Sequence, residues 1–312
     1  MISLSLSIHK LANILSRSIR HHHFYYGLLF GVGLCLAFLP VSYRYTKVTD
    51  IFTFKHPLQA VIVGNNKPKL STNYYILLDK ETNQIIVSQN ENFRIYPAST
   101  TKLATALTAL NIYPLEEVVS IPSAYSDGKV MELKADEKVT IKTLVAGLLI
   151  YSANDAAFNL ATHHPQGISG FVEQMNILVA KYGLKNTHFV NFDGLHSPNH
   201  YSTPYDLAQL GRLASQNPTL RQYVKTKSMD LSDIYGQTLH RVTSTNELLG
   251  VVPEIEGLKT GWTPEASGSF IGLLNVNGHY LISVVAQSED RFNDTKTLLD
   301  WAKNNLIWRI YQ

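Results

Sequence analysis

The sequence predicts an α+β fold: an antiparallel sheet flanked by helices, with a helical subdomain forming one wall of a cleft. Three observations carry this reading. Strand-forming runs stand near both ends of the globular part, at Tyr74–Leu78 and Gln84–Val87 and again at Gly268–Val276 and His279–Gln287. Helical periods fill the stretch between them. The two late runs meet at Asn277-Gly278, the residue pair of a two-residue hairpin turn. No internal repeat or low-complexity segment interrupts the pattern.

The 312 residues, 45% of them hydrophobic, are enough for a large core with a cleft. The charge lies unevenly. Residues 1–46 hold Lys10, Arg17, Arg20 and Arg44 and no acid. With these four set aside from the 27 basic residues, the 24 acidic residues outnumber the basic ones by one. The globular part therefore carries no nucleic-acid footprint. The chain's one cysteine, Cys35, lies in the apolar N-terminal segment, which excludes a disulfide framework or a cysteine metal site in the globular part.

Taken in order, residues 1–23 read as a basic cytoplasmic tail. Phe24 to Tyr43 then gives 20 residues without a charge. At helical rise they span roughly 30 Å, the thickness of a bilayer core. The bias of positive charge favours a cytoplasmic N-terminus, placing the rest on the other side of the membrane. A cleaved signal peptide is the competing reading, opposed by the long preceding tail and the lack of an Ala-x-Ala site. Residues 44–70 read as a linker, broken by Pro57, Gly64, Asn65, Asn66 and Pro68. Residues 71–312 read as one globular domain.

Within that domain, Tyr74–Leu78 and Gln84–Val87 form a hairpin. A buried helix starts at Ser99, its apolar spacing set by Leu103, Leu107 and Leu110. Residues 111–139 show no clear period. Thr140 caps a helix through Leu144 and Leu148, and a short helix covers Asp155–His163. Ile168–Tyr182 is amphipathic and stops at Gly183. Thr203-Pro204-Tyr205-Asp206 opens a further helix with a cap, a proline at the first position and an acid in the first turn. Met229–Ser232 and Gln237–Val242 alternate like edge strands. Phe292–Ile310 reads as a closing amphipathic helix.

The chemistry concentrates at Ser99-Thr100-Thr101-Lys102. A serine needs a neighbouring base to become a nucleophile, and an amine three residues on lies one helical turn away. Burial disfavours a lysine's charge, which makes it a base. Taken alone, this tetrad is more often a helix cap beside a solvent-seeking lysine. It is followed, in order, by Ser152-Ala153-Asn154 and Lys259-Thr260-Gly261. This trio resembles the ordered motifs of penicillin-binding proteins and class A β-lactamases, with Ala153 where an aspartate is usual.

Phe171–Asn176, Asn186–Asn191, Asp193-Gly194-Leu195-His196, Tyr201-Ser202-Thr203 and Gly257–Thr263 sharpen the likeness. On these residues the chain, from roughly 70 to 305, resembles the low-molecular-mass penicillin-binding proteins, the serine D-alanyl-D-alanine carboxypeptidases. The resemblance implies a β-lactamase/DD-peptidase-like fold, preceded here by one transmembrane helix. It implies an acyl-enzyme on Ser99 with peptidoglycan pentapeptide, release of terminal D-alanine, and inhibition by β-lactam antibiotics.

Lys102 is the expected general base and Ser152 a proton relay, while the first proton acceptor stays open between them. Asn154, Lys259, Thr260, Gly261 and Trp262 are expected to bind substrate. Lys259 is also expected to help keep Lys102 neutral, and the N–H groups of Ser99 and Trp262 to form the oxyanion hole. Arg291 is the candidate for the substrate's terminal carboxylate, against an ordinary ion pair with Asp290 or Asp294. A DD-endopeptidase and a non-catalytic penicillin-binding receptor remain as alternatives. A β-lactamase is disfavoured, because no Glu-x-x-Leu-Asn pattern follows Asn154. The histidines show no metal-ligand spacing, so neither a metal nor a cofactor is implied.

Overall fold

The computed structural model describes residues 58–64 and 66–310. The tail, the apolar span 24–43 and most of the linker lie outside them. Among the described residues no helix is long and apolar enough to cross a membrane.

In chain order, the described part begins with β1 (Gln59–Ile62), β2 (Tyr74–Asp79) and β3 (Ile85–Gln89). A 3₁₀ turn, Ala98–Thr101, runs directly into α1 (Lys102–Ile112). Two short strands, β4 (Val118–Ser120) and β5 (Lys138–Thr140), bracket a long loop. The helical insertion holds α2 (Ile141–Ile150), α3 (Asn154–Thr162), α4 (Gly167–Lys181), α5 (Pro204–Gln216) and α6 (Pro218–Val224). Then come β6 (Ser228–Ser232), β7 (Leu239–Thr243), β8 (Ile255–Thr263), β9 (Ser267–Val276) and β10 (His279–Ser288). α7 (Arg291–Asn305) and β11 (Leu306–Arg309) close the chain.

The main sheet is antiparallel with strand order β3-β2-β10-β9-β8, so the first hairpin and the last three strands share one sheet. Its two faces separate by strand alternation. Ile76, Leu78, Ile271, Leu273, Ile282 and Val284 join the core of the helical layer. Tyr75, Leu77, Phe270, Leu274, Leu281 and Val285 pack instead with Leu298, Leu299 and Ala302 of α7. Burial on both faces explains why these strands read as continuous apolar runs. The β9–β10 turn forms at Asn277 (φ 53°) and Gly278 (φ 88°), both in the left-handed region such a turn requires.

The expected caps are present. The hydroxyl of Thr140 accepts from the Thr143 N–H, and that of Thr203 from the Asp206 N–H at 3.1 Å. α6 follows α5 after one residue, with Asn217 as its cap and Pro218 at its first position.

Three expectations need correction. The span 44–70 is not all linker, because β1 pairs antiparallel with β11, from Gln59 opposite Arg309 to Ile62 opposite Leu306. The final helix stops at Asn305, and its expected last residues are that partner strand. Each of these four-residue strands is specified by the opposite end of the chain, so neither shows a local period. Third, β6 and β7 pair only with each other and form a separate two-stranded sheet.

Candidate active site

Ser99 lies in the 3₁₀ turn, not in the regular helix. Thr100 holds this turn, donating from its N–H and its hydroxyl to the Pro97 carbonyl. Ala98 adopts φ 49°, a strained conformation for any residue with a side chain. Gly194 packs directly on the Ala98 carbonyl, where any Cβ would collide with it. Behind the turn, the Val190 N–H donates to Nδ1 of the buried His200, which leaves Nε2–H to donate to the Thr101 hydroxyl at 2.9 Å. Burial pushes His200 down to about 3, with smaller contributions from His188, His196 and Lys102, so it stays neutral.

Lys102 opens α1 and is fully buried. Its Nζ stands 3.0 Å from Ser99 Oγ and 2.8 Å from the Asp193 carbonyl oxygen. Burial lowers its pKa to about 8, with Asp193 pulling the other way. An ammonium there donates to both oxygens. A free amine keeps one N–H on Asp193 and turns its lone pair to the Ser99 hydroxyl. Lys259, on β8, is also buried and donates to the Thr260 carbonyl at 2.9 Å. Its pKa is held well below the usual range by burial first, then by the cations Lys102, Lys129 and Arg291. Burial is the main cause that lowers the Lys102 pKa, and the repulsion between the Lys102 and Lys259 cations disfavours having both charged at once.

Above these two lysines opens a cleft enclosing about 660 Å³, part of it open to solvent. Ser99, Ser152, Asn154, Thr260, Gly261, Trp262 and Arg291 all line it. Ser152 sits between α2 and α3 at φ 67°, a strained turn that faces the helical wall toward the sheet. It makes no hydrogen bond to Ser99 or Lys102 among the described residues. Asn154 donates from Nδ2 to the Asp127 carbonyl at 2.9 Å, leaving its Oδ1 as the free acceptor. Thr260 shares a 2.7 Å hydroxyl contact with Thr245. Trp262 stands at the rim, 59% exposed.

β8 is an edge strand of the main sheet, so one side of its backbone is open to an extended ligand. Gly261 brings it against the nucleophile turn: a Cβ there would lie 3.0 Å from the Ser99 nitrogen and 3.1 Å from the Pro97 carbonyl oxygen. Backbone cannot yield as a side chain can. Gly261→Val is therefore expected to push β8 off the turn and lower acylation of Ser99 by about 100-fold or more, a 1 Å displacement being worth that much. Stopped-flow acylation with a chromogenic β-lactam measures it, and a rate within threefold of wild type would count against this packing role.

Arg291 starts α7 and lies over the Phe292 ring at 4.5 Å. It makes no ion pair among the described residues, and its buried Nε has no partner. Asp290 instead caps α7 through the Asn293 N–H, and Asp294 accepts from Ser71 and Ser288. Arg291 is thus a cleft cation that Glu247 and Asp290 influence from a distance but that no carboxylate pairs with directly among the described residues.

Several lining residues carried no sequence signal. Thr245, Gly128 and Lys129 reach the cleft from stretches without a motif. Asp193 and Gly194 stood in a recognised stretch, but their contacts with Lys102 and Ala98 depend on a loop packing across α1. Among the described residues no group of three or more potential metal ligands occurs.

Residues 62–290 match the peptidase family described as D-alanyl-D-alanine carboxypeptidase. The chain is 30% identical over 264 residues to the D-alanyl-D-alanine carboxypeptidase DacD of Salmonella typhimurium, covering 79% of this chain and 66% of that protein. It is 31% identical over 258 residues to DacA of Haemophilus influenzae, covering 78% and 64%. The match thus spans just under two thirds of the length of these curated relatives. The crystal structure of a Streptomyces DD-transpeptidase superposes with a TM-score of 0.72 at 29% identity, covering 76% of this chain and 98% of that one. With the ordered trio lining one cleft and the family match spanning most of the described residues, this chain belongs to the D-alanyl-D-alanine carboxypeptidase family of peptidases.

Proposed function

We propose that the protein is a serine DD-carboxypeptidase that removes the terminal D-alanine from peptidoglycan stem peptides and is acylated by β-lactams. The observation that carries this is the 3.0 Å contact of Ser99 Oγ with the buried Lys102 amine at the floor of a cleft. A stem peptide pairs along the open edge of β8, and the Asn154 Oδ1 accepts one of its amide N–H groups. Lys102, neutral, takes the Ser99 proton as Oγ attacks the carbonyl of the penultimate D-alanine. The N–H groups of Ser99 and Trp262 stabilise the oxyanion. As the intermediate collapses, Ser152 relays a proton to the leaving nitrogen and free D-alanine departs. Water then hydrolyses the Ser99 ester, returning the hydroxyl and releasing the shortened peptide. Arg291, which makes no ion pair among the described residues, binds the terminal carboxylate through its guanidinium fork.

The protein is further proposed to be held at the bacterial plasma membrane by residues 24–43, with its catalytic domain on the outer side. No nucleic acid enters this scheme.

Incubating the purified protein with pentapeptide and with cross-linked dimer tests the reading. Release of free D-alanine from pentapeptide supports a carboxypeptidase, cleavage of the dimer alone an endopeptidase. Arg291→Ala is expected to lower kcat/KM for pentapeptide by about 10- to 100-fold, the worth of a charge-assisted hydrogen bond. Its penicillin acylation should fall less. Equal losses on both substrates would remove the carboxylate role.

A further inference from the structure

We infer that Lys129 is a specificity-determining residue, a second anion-binding group that reads a carboxylate in the acyl portion of the substrate, upstream of the D-Ala–D-Ala pair. The inference deepens the DD-peptidase reading and rests on it.

Lys129 lines the cleft on the helical wall beside Ser152 and Asn154. Its backbone is clamped there. The Lys129 carbonyl accepts from the Asn154 N–H at 2.6 Å. The next turn of the loop is held by Asp155, whose carboxylate accepts from the Met131 and Leu133 N–H groups, each at 3.0 Å. Gly128, at φ 70°, lets the loop approach so closely that a Cβ would strike the Asn154 side-chain nitrogen. The position next to it is therefore fixed relative to a group expected to hold substrate.

The side chain is held as well. Its Nζ lies 4.0 Å from the Tyr151 ring centroid, a cation–π contact that orients the ammonium without neutralising it. No ion pair engages Lys129 among the described residues, and Asp127, two residues earlier, meets Asn154 through its carbonyl. Partial burial lowers its pKa, the mark of a cation short of compensating charge.

Two cations that make no ion pair among the described residues thus line the cleft from different walls, Arg291 from the sheet side and Lys129 from the helical side. The scissile end of the substrate offers one carboxylate, and Arg291 takes it. A ligand that satisfies Lys129 must carry another, on the part that remains attached to Ser99.

The test uses two N-acetyl tripeptides ending in D-Ala–D-Ala, preceded by 2-aminopimelate with either a free side-chain carboxylate or its carboxamide. The wild-type protein should show about fivefold higher kcat/KM for the carboxylate, the size of a partly exposed ion pair, with the ratio shrinking as salt is added. Lys129→Arg should keep that ratio and Lys129→Met should bring it close to one. A wild-type ratio of one, or a ratio unchanged in Lys129→Met, would overturn the assignment and leave Lys129 as a lysine packed on Tyr151. Failure of the wild-type protein to cleave either peptide, together with no penicillin adduct, would overturn the DD-peptidase reading itself and this inference with it.

Discussion

Ser99→Ala is expected to abolish the covalent penicillin adduct and to cut D-alanine release by at least about 10⁴-fold. The reason lies in what surrounds the hydroxyl. Among the described residues, Ser99 is the cleft residue that presents a side-chain oxygen to the buried Lys102 amine, at 3.0 Å. Ser152, though it lines the same cleft, makes no hydrogen bond to that amine among the described residues and sits on the opposite wall. Removing one oxygen leaves the turn intact, because Thr100 and Gly194 hold it by backbone contacts that do not involve the Ser99 side chain. The variant should therefore fold and still bind penicillin reversibly. Intact-protein mass spectrometry after benzylpenicillin reads the result directly, and an adduct that persists in Ser99→Ala would assign the nucleophile elsewhere.

Lys102→Met should lower the acylation rate by about 10²- to 10⁴-fold, the usual worth of a positioned base. It should also erase a pH dependence. In the wild-type protein the reactive form of Lys102 is the free amine. Burial brings its pKa to about 8, so only about a tenth of the molecules carry the free amine at pH 7. The acylation rate should rise about tenfold per pH unit below 8 and level off above it. Acid thus inactivates by protonating Lys102. In Lys102→Met the residual rate should show no step near pH 8. A wild-type profile flat from pH 6 to 9 would sink the assignment of Lys102 as base. The methionine fills a similar volume but leaves the Asp193 carbonyl without its donor, so the melting temperature should be measured alongside.

The outline of both fold and site was legible because each rests on local chemistry. Alternation and the Asn277-Gly278 pair marked the β9–β10 hairpin, and Thr140 and Thr203 marked helix starts, since caps and turns are decided within a few residues. Three short motifs in order named Ser99, Ser152, Asn154, Thr260 and Gly261, which all line one cleft. The β1–β11 pairing was not legible, as it joins residues some 245 positions apart through backbone hydrogen bonds that any sequence could make. Arg291 was proposed from sequence against an ion pair with Asp290 or Asp294, and the tertiary structure shows both acids engaged elsewhere.

What the amino-acid order determined by itself is the α+β class, the candidate nucleophile and base, and several of the polar residues around them. Only the folded chain decided their state. The Lys102 pKa falls to about 8 because helices and sheet close over it, and that of Lys259 falls because it is buried and because Lys102, Lys129 and Arg291 converge on it from distant elements. Lys129 enters the cleft because a motif-free loop is clamped onto α3. Burial and Coulomb interaction depend on distances in space, and those are set by packing between segments far apart in the chain.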